Sequence, residues 1–238
     1  MSHISYKFFT NHGGVSCGLY DSLNCSYSVG DDIESVRKNI GIVKSEMEAD
    51  YVFSLRQVHG SEVHVVDRII DDDECNQQIS ADALITKTQR ICIGVLTADC
   101  APVLLHERKS NTIAAIHCGW KSARQDIIKN VISTINVQDA DYFAAIGPCA
   151  HIDSYEVQQD FIESIEREYE TCFRYDAGKI CFDLPKYVEM KLIQSGVTDI
   201  HNANIDTVSN TNDYFSFRRA NKYTNGICGR QISCIMIR

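Results

Sequence analysis

Apolar positions repeat along the chain in two rhythms, and each marks a different element. From Asp31 to Met47 they fall at Ile33, Val36, Ile40, Val43 and Met47, three and four residues apart. That spacing is one face of a helix, with Asp31 or Asp32 placed to cap it. A second helix is predicted from Ser122, where Gln125 would complete a capping box, burying Ile127, Ile128, Val131, Ile132 and Ile135. A third is predicted from about Ser154 to Tyr169 on Val157, Phe161, Ile162 and Ile165. A fourth opens at Asp183, with Pro185 in its first turn and Gly196 just beyond its end. Short β-branched and aromatic runs lie between them. Tyr51–Leu55, Val63–Val66, Ile91–Leu96, Val103–Leu105, Thr112–Ile116, Tyr142–Ile146, Asp213–Phe217 and Ile232–Ile237 all read as strands.

Between residues 51 and 116 the strands follow one another with no helix between them. A strictly alternating parallel sheet needs a crossover at each step. The α+β class with mixed sheets therefore fits better. No internal repeat or linker-like stretch divides the chain, so one domain over 1–238 is expected. The acidic run Asp71–Glu74 reads as a solvated loop.

Composition narrows the function classes. The 238 residues carry a formal net charge of −9, and clustered Lys and Arg for a phosphate backbone are lacking, so no nucleic-acid partner is expected. No apolar run approaches the roughly 20 residues of a membrane span, and the N-terminus lacks an apolar signal core. A cytoplasmic protein without a membrane partner is the expectation; the sequence carries no signal of oligomeric state. The 11 cysteines are odd in number, irregularly spaced and free of any Cys-x-x-Cys pair. Reduced thiols fit this pattern better than a disulfide framework.

Three segments place polar residues directly at the ends of apolar strands: Arg56-Gln57-Val58-His59-Gly60, Thr97-Ala98-Asp99-Cys100-Ala101-Pro102 and His117-Cys118-Gly119-Trp120-Lys121. Singly, each histidine is more often structural and each cysteine more often a small core residue. Together His59, Cys100 and His117 are two imidazoles and a thiolate, a set that suits Zn2+ with a fourth position open for water or substrate. Their spacing matches no short metal motif. Asp99 is a candidate for proton transfer. Arg218, Arg219 and Arg230 are candidates for binding an anion, with structural ion pairing as the equal alternative.

These residues belong to a longer series: His12–Ser16 (HGGVS), Gln57–Gly60 (QVHG), Leu96–Leu105 (LTADCAPVLL), His117–Lys121 (HCGWK), Ile146–Cys149 (IGPC), Ser154–Val157 (SYEV), Tyr214–Arg219 (YFSFRR) and Gly229–Gln231 (GRQ). The series resembles, collinearly and over nearly the whole chain, the multicopper polyphenol oxidoreductase (laccase) family, also named peptidoglycan editing factor and purine nucleoside phosphorylase. The resemblance implies a layered α/β/β/α sandwich. It implies one zinc per chain on His59, Cys100 and His117. It further implies purine nucleosides and inorganic phosphate as substrates: phosphorolysis of adenosine, inosine, guanosine and methylthioadenosine, and deamination of adenosine. The chain departs from the family pattern at Asn11, Lys121-Ser122, Ala150-His151, Asp206 and Cys228, none of them a metal position. Asn11 and Lys121 replace arginines, which would weaken contacts to an anion.

Two other chemistries use the same residues. A cysteine hydrolase would take Cys100 as nucleophile and His117 as base. A copper-dependent polyphenol oxidase is implied by the older family name, but the chain has only 8 histidines, of which His59, His64, His106, His117 and His151 are near the candidate segments. A mononuclear His, Cys, His set without more imidazoles suits a multicopper centre poorly. Cu2+ is therefore the lesser candidate. A role in editing peptidoglycan precursors is suggested by the family name alone.

Overall fold

The computed structural model describes residues 4–68, 79–176 and 178–238; the acidic run Asp71–Glu74 lies outside them. Two mixed sheets lie face to face. The smaller joins β1 (Ile4–Phe8), β13 (Gln231–Ile237), β5 (Ile91–Thr97) and β2 (Tyr51–Phe53), in that order. The larger runs β12 (Asp199–Asn202), β8 (Tyr142–Ile146), β6 (Ala101–Glu107), β7 (Thr112–Cys118), β4 (Ala83–Thr86) and β3 (Val63–Val65). β2 with β5, β3 with β4, and β8 with β12 are parallel pairs; the remaining pairs in both sheets are antiparallel. A third, three-stranded sheet is made by β10 (Phe173–Asp176), β11 (Lys179–Phe182) and β9 (Glu156–Val157).

Alternate residues of each central strand enter different cores. Ile91, Ile93 and Val95 of β5 meet Leu84, Leu104, Ile113 and Ala115 between the sheets. Cys92 and Leu96 face outward, against Val36, Ile40, Val43 and Met47 of α1 (Ile33–Met47). On the far side, Val103, Leu105, Ala114 and Ile116 pack against α3 (Ile127–Ile135) and α5 (Leu184–Gln194). The result is the expected α/β/β/α layering in the α+β class. Because both faces of β5, β6 and β7 are buried, their sequences are continuously apolar rather than alternating.

The helices at 31–47 and 183–196 form as expected, capped by Asp32 and Asp183, whose carboxylates accept from the Ser35 and Lys186 amides. Only Ile33 of the first apolar set stays exposed. Other expectations need correction. The capping box at Ser122 does not form: α2 (Trp120–Arg124) starts earlier, capped by Gly119, and Asp126 in the left-handed region separates it from α3. Gln125 instead donates to the His59 carbonyl. The helix expected over 154–169 yields β9, the single turn α4 (Gln159–Glu163) and a 3-10 segment, because Glu156 and Val157 pair with β11. The strand expected over Asp213–Phe217 is a loop running into α6 (Phe217–Tyr223). There Ser216 caps the helix by accepting from the Arg219 amide, and this local bond prevails over the β propensity of the aromatics.

One hairpin matters most for the site. β6 and β7 are joined by a turn that the buried Glu107 closes, accepting from Lys109 N, Ser110 N and Ser110 Oγ, and from Asp141 N at the start of β8. Burial would push this carboxyl up, but the Ser110 bonds and the two further backbone donors bring it from 4.5 down to about 2. A depressed carboxyl stabilises the fold fully above its unfolded value and stops doing so as the pH falls through about 2. Glu107→Gln is therefore expected to lose about 3 kcal/mol at pH 7 and to narrow the gap to wild type as the pH drops from about 4.5 toward 2. Urea unfolding at a series of pH values checks this; an unchanged gap down to pH 2 would contradict it.

Candidate metal centre

At the open end of the hairpin, Ala101 pairs with Cys118 and Pro102 with His117. Cys100, one residue before β6, therefore comes beside His117 near the end of β7. The third member arrives from the loop after β2. Gln57 ties that loop to β5 through two bonds, Nε2 to the Leu96 carbonyl at 2.6 Å and Oε1 from the Leu96 amide at 2.7 Å. His59 follows in the left-handed region, φ 59°. The donor atoms of His59, Cys100 and His117 all lie within 4.8 Å of one another. His59 Nε2 is 3.8 Å from Cys100 Sγ, and the two imidazoles meet edge to face at 4.8 Å. Among the described residues this is the one group of three or more His, Cys, Asp or Glu so arranged.

Asp82, which the sequence reading passed over, holds the group together. It precedes β4, is 1% exposed, and accepts four hydrogen bonds. Oδ1 takes His117 Nδ1 at 2.8 Å and His59 N at 2.9 Å; Oδ2 takes Gly60 N at 2.7 Å and Val58 N at 3.2 Å. Its carbonyl also accepts the His117 amide. One carboxylate thus orients one imidazole and shapes the loop that presents the other. A hydrogen bond on Nδ1 leaves Nε2 of His117 as the ligating nitrogen, the arrangement metal sites use to fix a histidine. Burial would push Asp82 up, but His117 and the backbone donors keep it below the usual carboxylate range.

Charge supports the same reading. Burial pushes the Cys100 thiol up, yet the charge and hydrogen bonds of His117 and His59 outweigh it and bring it down to about 6. Burial pulls His117 down, while the Cys100 thiolate and Asp82 raise it to about 9. The site favours a thiolate at neutral pH, the form a metal needs. By contrast, burial pushes Cys25 and Cys118 far up, as expected of inert core thiols. Every described cysteine is free. Gly119 leaves the space required: a Cβ there would sit 3.0 Å from Cys100 Sγ and 3.3 Å from His59 Cδ2.

Two cavities meet at this group, and both are lined by His59, Ala98, Cys100 and Phe217. The smaller, about 280 Å³, adds His117, Arg56, Thr97 and Arg230. The larger, about 780 Å³, adds Trp120, Lys121, Tyr155 and Arg218. Of the three arginine candidates, Arg218 and Arg230 therefore border the metal group. Arg219 does not. Its guanidinium donates to the carbonyls of Thr207, Val208 and Tyr214, fastening a loop beside a different cavity. Asn11 lines that other cavity too, and the neighbouring His12 pairs with Asp213. Asp99 lines the larger cavity, but its carboxylate is committed: Oδ1 accepts from Thr207 Oγ1, and Oδ2 from Ser216 Oγ and the Arg218 amide. With acceptor bonds on both oxygens, it anchors α6 and thereby places Arg218.

No described helix is long and apolar enough to cross a membrane. A Bacteroides thetaiotaomicron protein named purine nucleoside phosphorylase is 30% identical over 99% of this chain and 92% of its own length. A Rickettsia conorii protein of the same name is 31% identical over 91% and 89%. The crystal structure of a Neisseria meningitidis protein superposes with a TM-score of 0.85 at 31% identity, covering 98% of this chain and 94% of that one. Residues 5–238 match the family described as multi-copper polyphenol oxidoreductase laccase, and the chain belongs to that family.

Proposed function

We propose that this chain is a zinc-dependent purine nucleoside phosphorylase that also deaminates adenosine and accepts methylthioadenosine. The observation that carries the reading is the His59–Cys100–His117 group at the junction of the two cavities, in a chain whose full-length relatives are named purine nucleoside phosphorylase. The donor set fits zinc: two imidazoles and a thiolate, one imidazole oriented by a buried carboxylate. Copper in a multinuclear cluster fits poorly, since His106 bonds Asn111 and His64 stacks on Phe53, each apart from the group. The described cysteines of the chain, all free, suit a reducing cytoplasm.

A zinc ion on these residues supplies Lewis acidity. Asp82 keeps the His117 ring in one tautomer and the 58–60 loop in one shape. Trp120, Tyr155 and Phe217 line the larger cavity with aromatic rings against which a purine would pack. Arg218 lies 4.2 Å over the Tyr155 ring and donates to the Glu156 carbonyl, which stiffens that wall.

The test is incubation with adenosine and with inosine, each with and without inorganic phosphate, products read by mass. Free base that appears only with phosphate is the expected result, with inosine formed from adenosine in either case. No turnover of either nucleoside would remove the reading. One observation favours a second reading, a cysteine hydrolase: Cys100, His117 and Asp82 line up as nucleophile, base and orienting acid, with the thiol already at about 6. Cys100 cannot be ligand and nucleophile at once, so stoichiometric metal excludes it.

A further inference from the structure

Building on the phosphorylase reading, we infer that the smaller cavity is the phosphate subsite, with Arg56 and Arg230 as its cationic walls. The first support is the pattern of ion pairs. This is an acidic chain in which Arg37, Arg90, Arg108, Arg174 and Arg238 each pair with a carboxylate. Arg56 and Arg230 pair with none among the described residues; nor do Arg68, Arg124, Arg167, Arg218 and Arg219, but of these unpaired arginines only Arg56 and Arg230 line the smaller cavity. Arg230 Nη1 rests on the carbonyls of Cys228 and Gly229 and on Cys228 Sγ, and its guanidinium carbon lies 5.6 Å from the Phe217 ring centre. Those contacts hold the head group in place without neutralising it. Arg56 is exposed at the cavity wall.

The second support is a hydroxyl with nothing to bond. Thr97, 1% exposed, lines the same cavity, and its Oγ1 is buried without a hydrogen-bond partner. An orphaned buried hydroxyl costs free energy that a ligand oxygen recovers. Ser26 and Ser28, linked Oγ to Oγ at 3.1 Å, line the wall as well. Two guanidiniums and three hydroxyls match the oxygens of a tetrahedral dianion. The larger cavity has the aromatic lining instead, which assigns the purine to that side and the phosphate to this one.

With the two reactants on opposite sides of the metal group, the step is a displacement. A phosphate oxygen forms the bond to C1′ of the ribose as the bond from C1′ to the purine nitrogen breaks. The electron pair departs on the purine, which takes up the proton released by hydrogen phosphate. Ribose 1-phosphate and free base result.

Calorimetric titration with inorganic phosphate, run on zinc-loaded wild type, Arg56→Gln, Thr97→Val and Arg218→Gln, tests the subsite. Arg56→Gln is expected to weaken phosphate binding by about tenfold or more, the scale of one charge-assisted contact. Thr97→Val should weaken it in the same direction, and Arg218→Gln, on the purine side, should leave it unchanged. In turnover, Arg56→Gln should raise KM for phosphate and not KM for inosine, with zinc content intact. Phosphate affinity lost in Arg218→Gln but kept in Arg56→Gln would overturn the inference, as would a wild type that binds no phosphate. A wild type that binds phosphate through Arg56 yet turns over no nucleoside would leave the subsite standing and remove the phosphorylase reading instead.

Discussion

Replacing Cys100 with alanine is expected to abolish both metal retention and turnover while leaving the fold intact. Cys100 contributes the thiolate of the group and precedes β6, whose own pairing runs from Ala101 to Glu107 and does not use its side chain. Loss of one of three protein ligands removes Lewis-acid stabilisation worth several kcal/mol, so turnover should fall by about a thousandfold or more. Metal analysis, turnover and thermal unfolding in parallel check the point. Full metal content together with full activity in Cys100→Ala would remove Cys100 from the site. An alkylating probe adds a second readout. In metal-loaded wild type Cys100 should resist labelling, and in metal-stripped protein it should react readily, because its thiol lies near 6. Labelling that is equally fast in both would favour the hydrolase reading.

Asp82→Asn should give a different failure, in which stability and metal affinity fall together. The buried carboxylate accepts two donors on each oxygen. An amide keeps one acceptor oxygen and turns an NH2 toward two N–H donors. Either His117 and the His59 amide, or the Val58 and Gly60 amides, then lose their acceptor. Stranded buried donors cost about 1–3 kcal/mol each. Loss of an orienting carboxylate behind a metal-bound histidine lowers metal affinity by about 10–100-fold. Zinc titration and urea unfolding should therefore both shift, whereas Cys100→Ala moves the first far more than the second. An Asp82→Asn variant with wild-type stability would show that the four bonds do not hold the 58–60 loop.

The chemistry of the site is legible in the sequence because His59, Cys100 and His117 each end or begin an apolar run. Their meeting is not, since separations of 41 and 17 residues close only through the β6–β7 register and the Gln57–Leu96 pair. Asp82 escapes notice for a physical reason. Its strand, Ala83–Thr86, is four residues long and buried on both faces, so it shows neither length nor alternation. Arg218 and Arg219 are visible as cations, but the segment before them, expected as a strand over Asp213–Phe217, is a loop that runs into a helix. On α6, capped by Ser216, one borders the larger cavity and the other grips backbone carbonyls. The mixed α+β class is legible in the strands that follow one another between residues 51 and 116, whereas the double-sheet layering is implied by the family resemblance alone; the small third sheet is lost behind a helix-like spacing of Val157 and Phe161.

The most direct measurement is phosphate-dependent release of free base from inosine by metal-stripped protein, before and after one equivalent of zinc per chain. Zinc-dependent phosphorolysis at His59, Cys100 and His117 requires no release before addition and full release after it. Release at the same rate without zinc, or none in either state, would contradict the assignment.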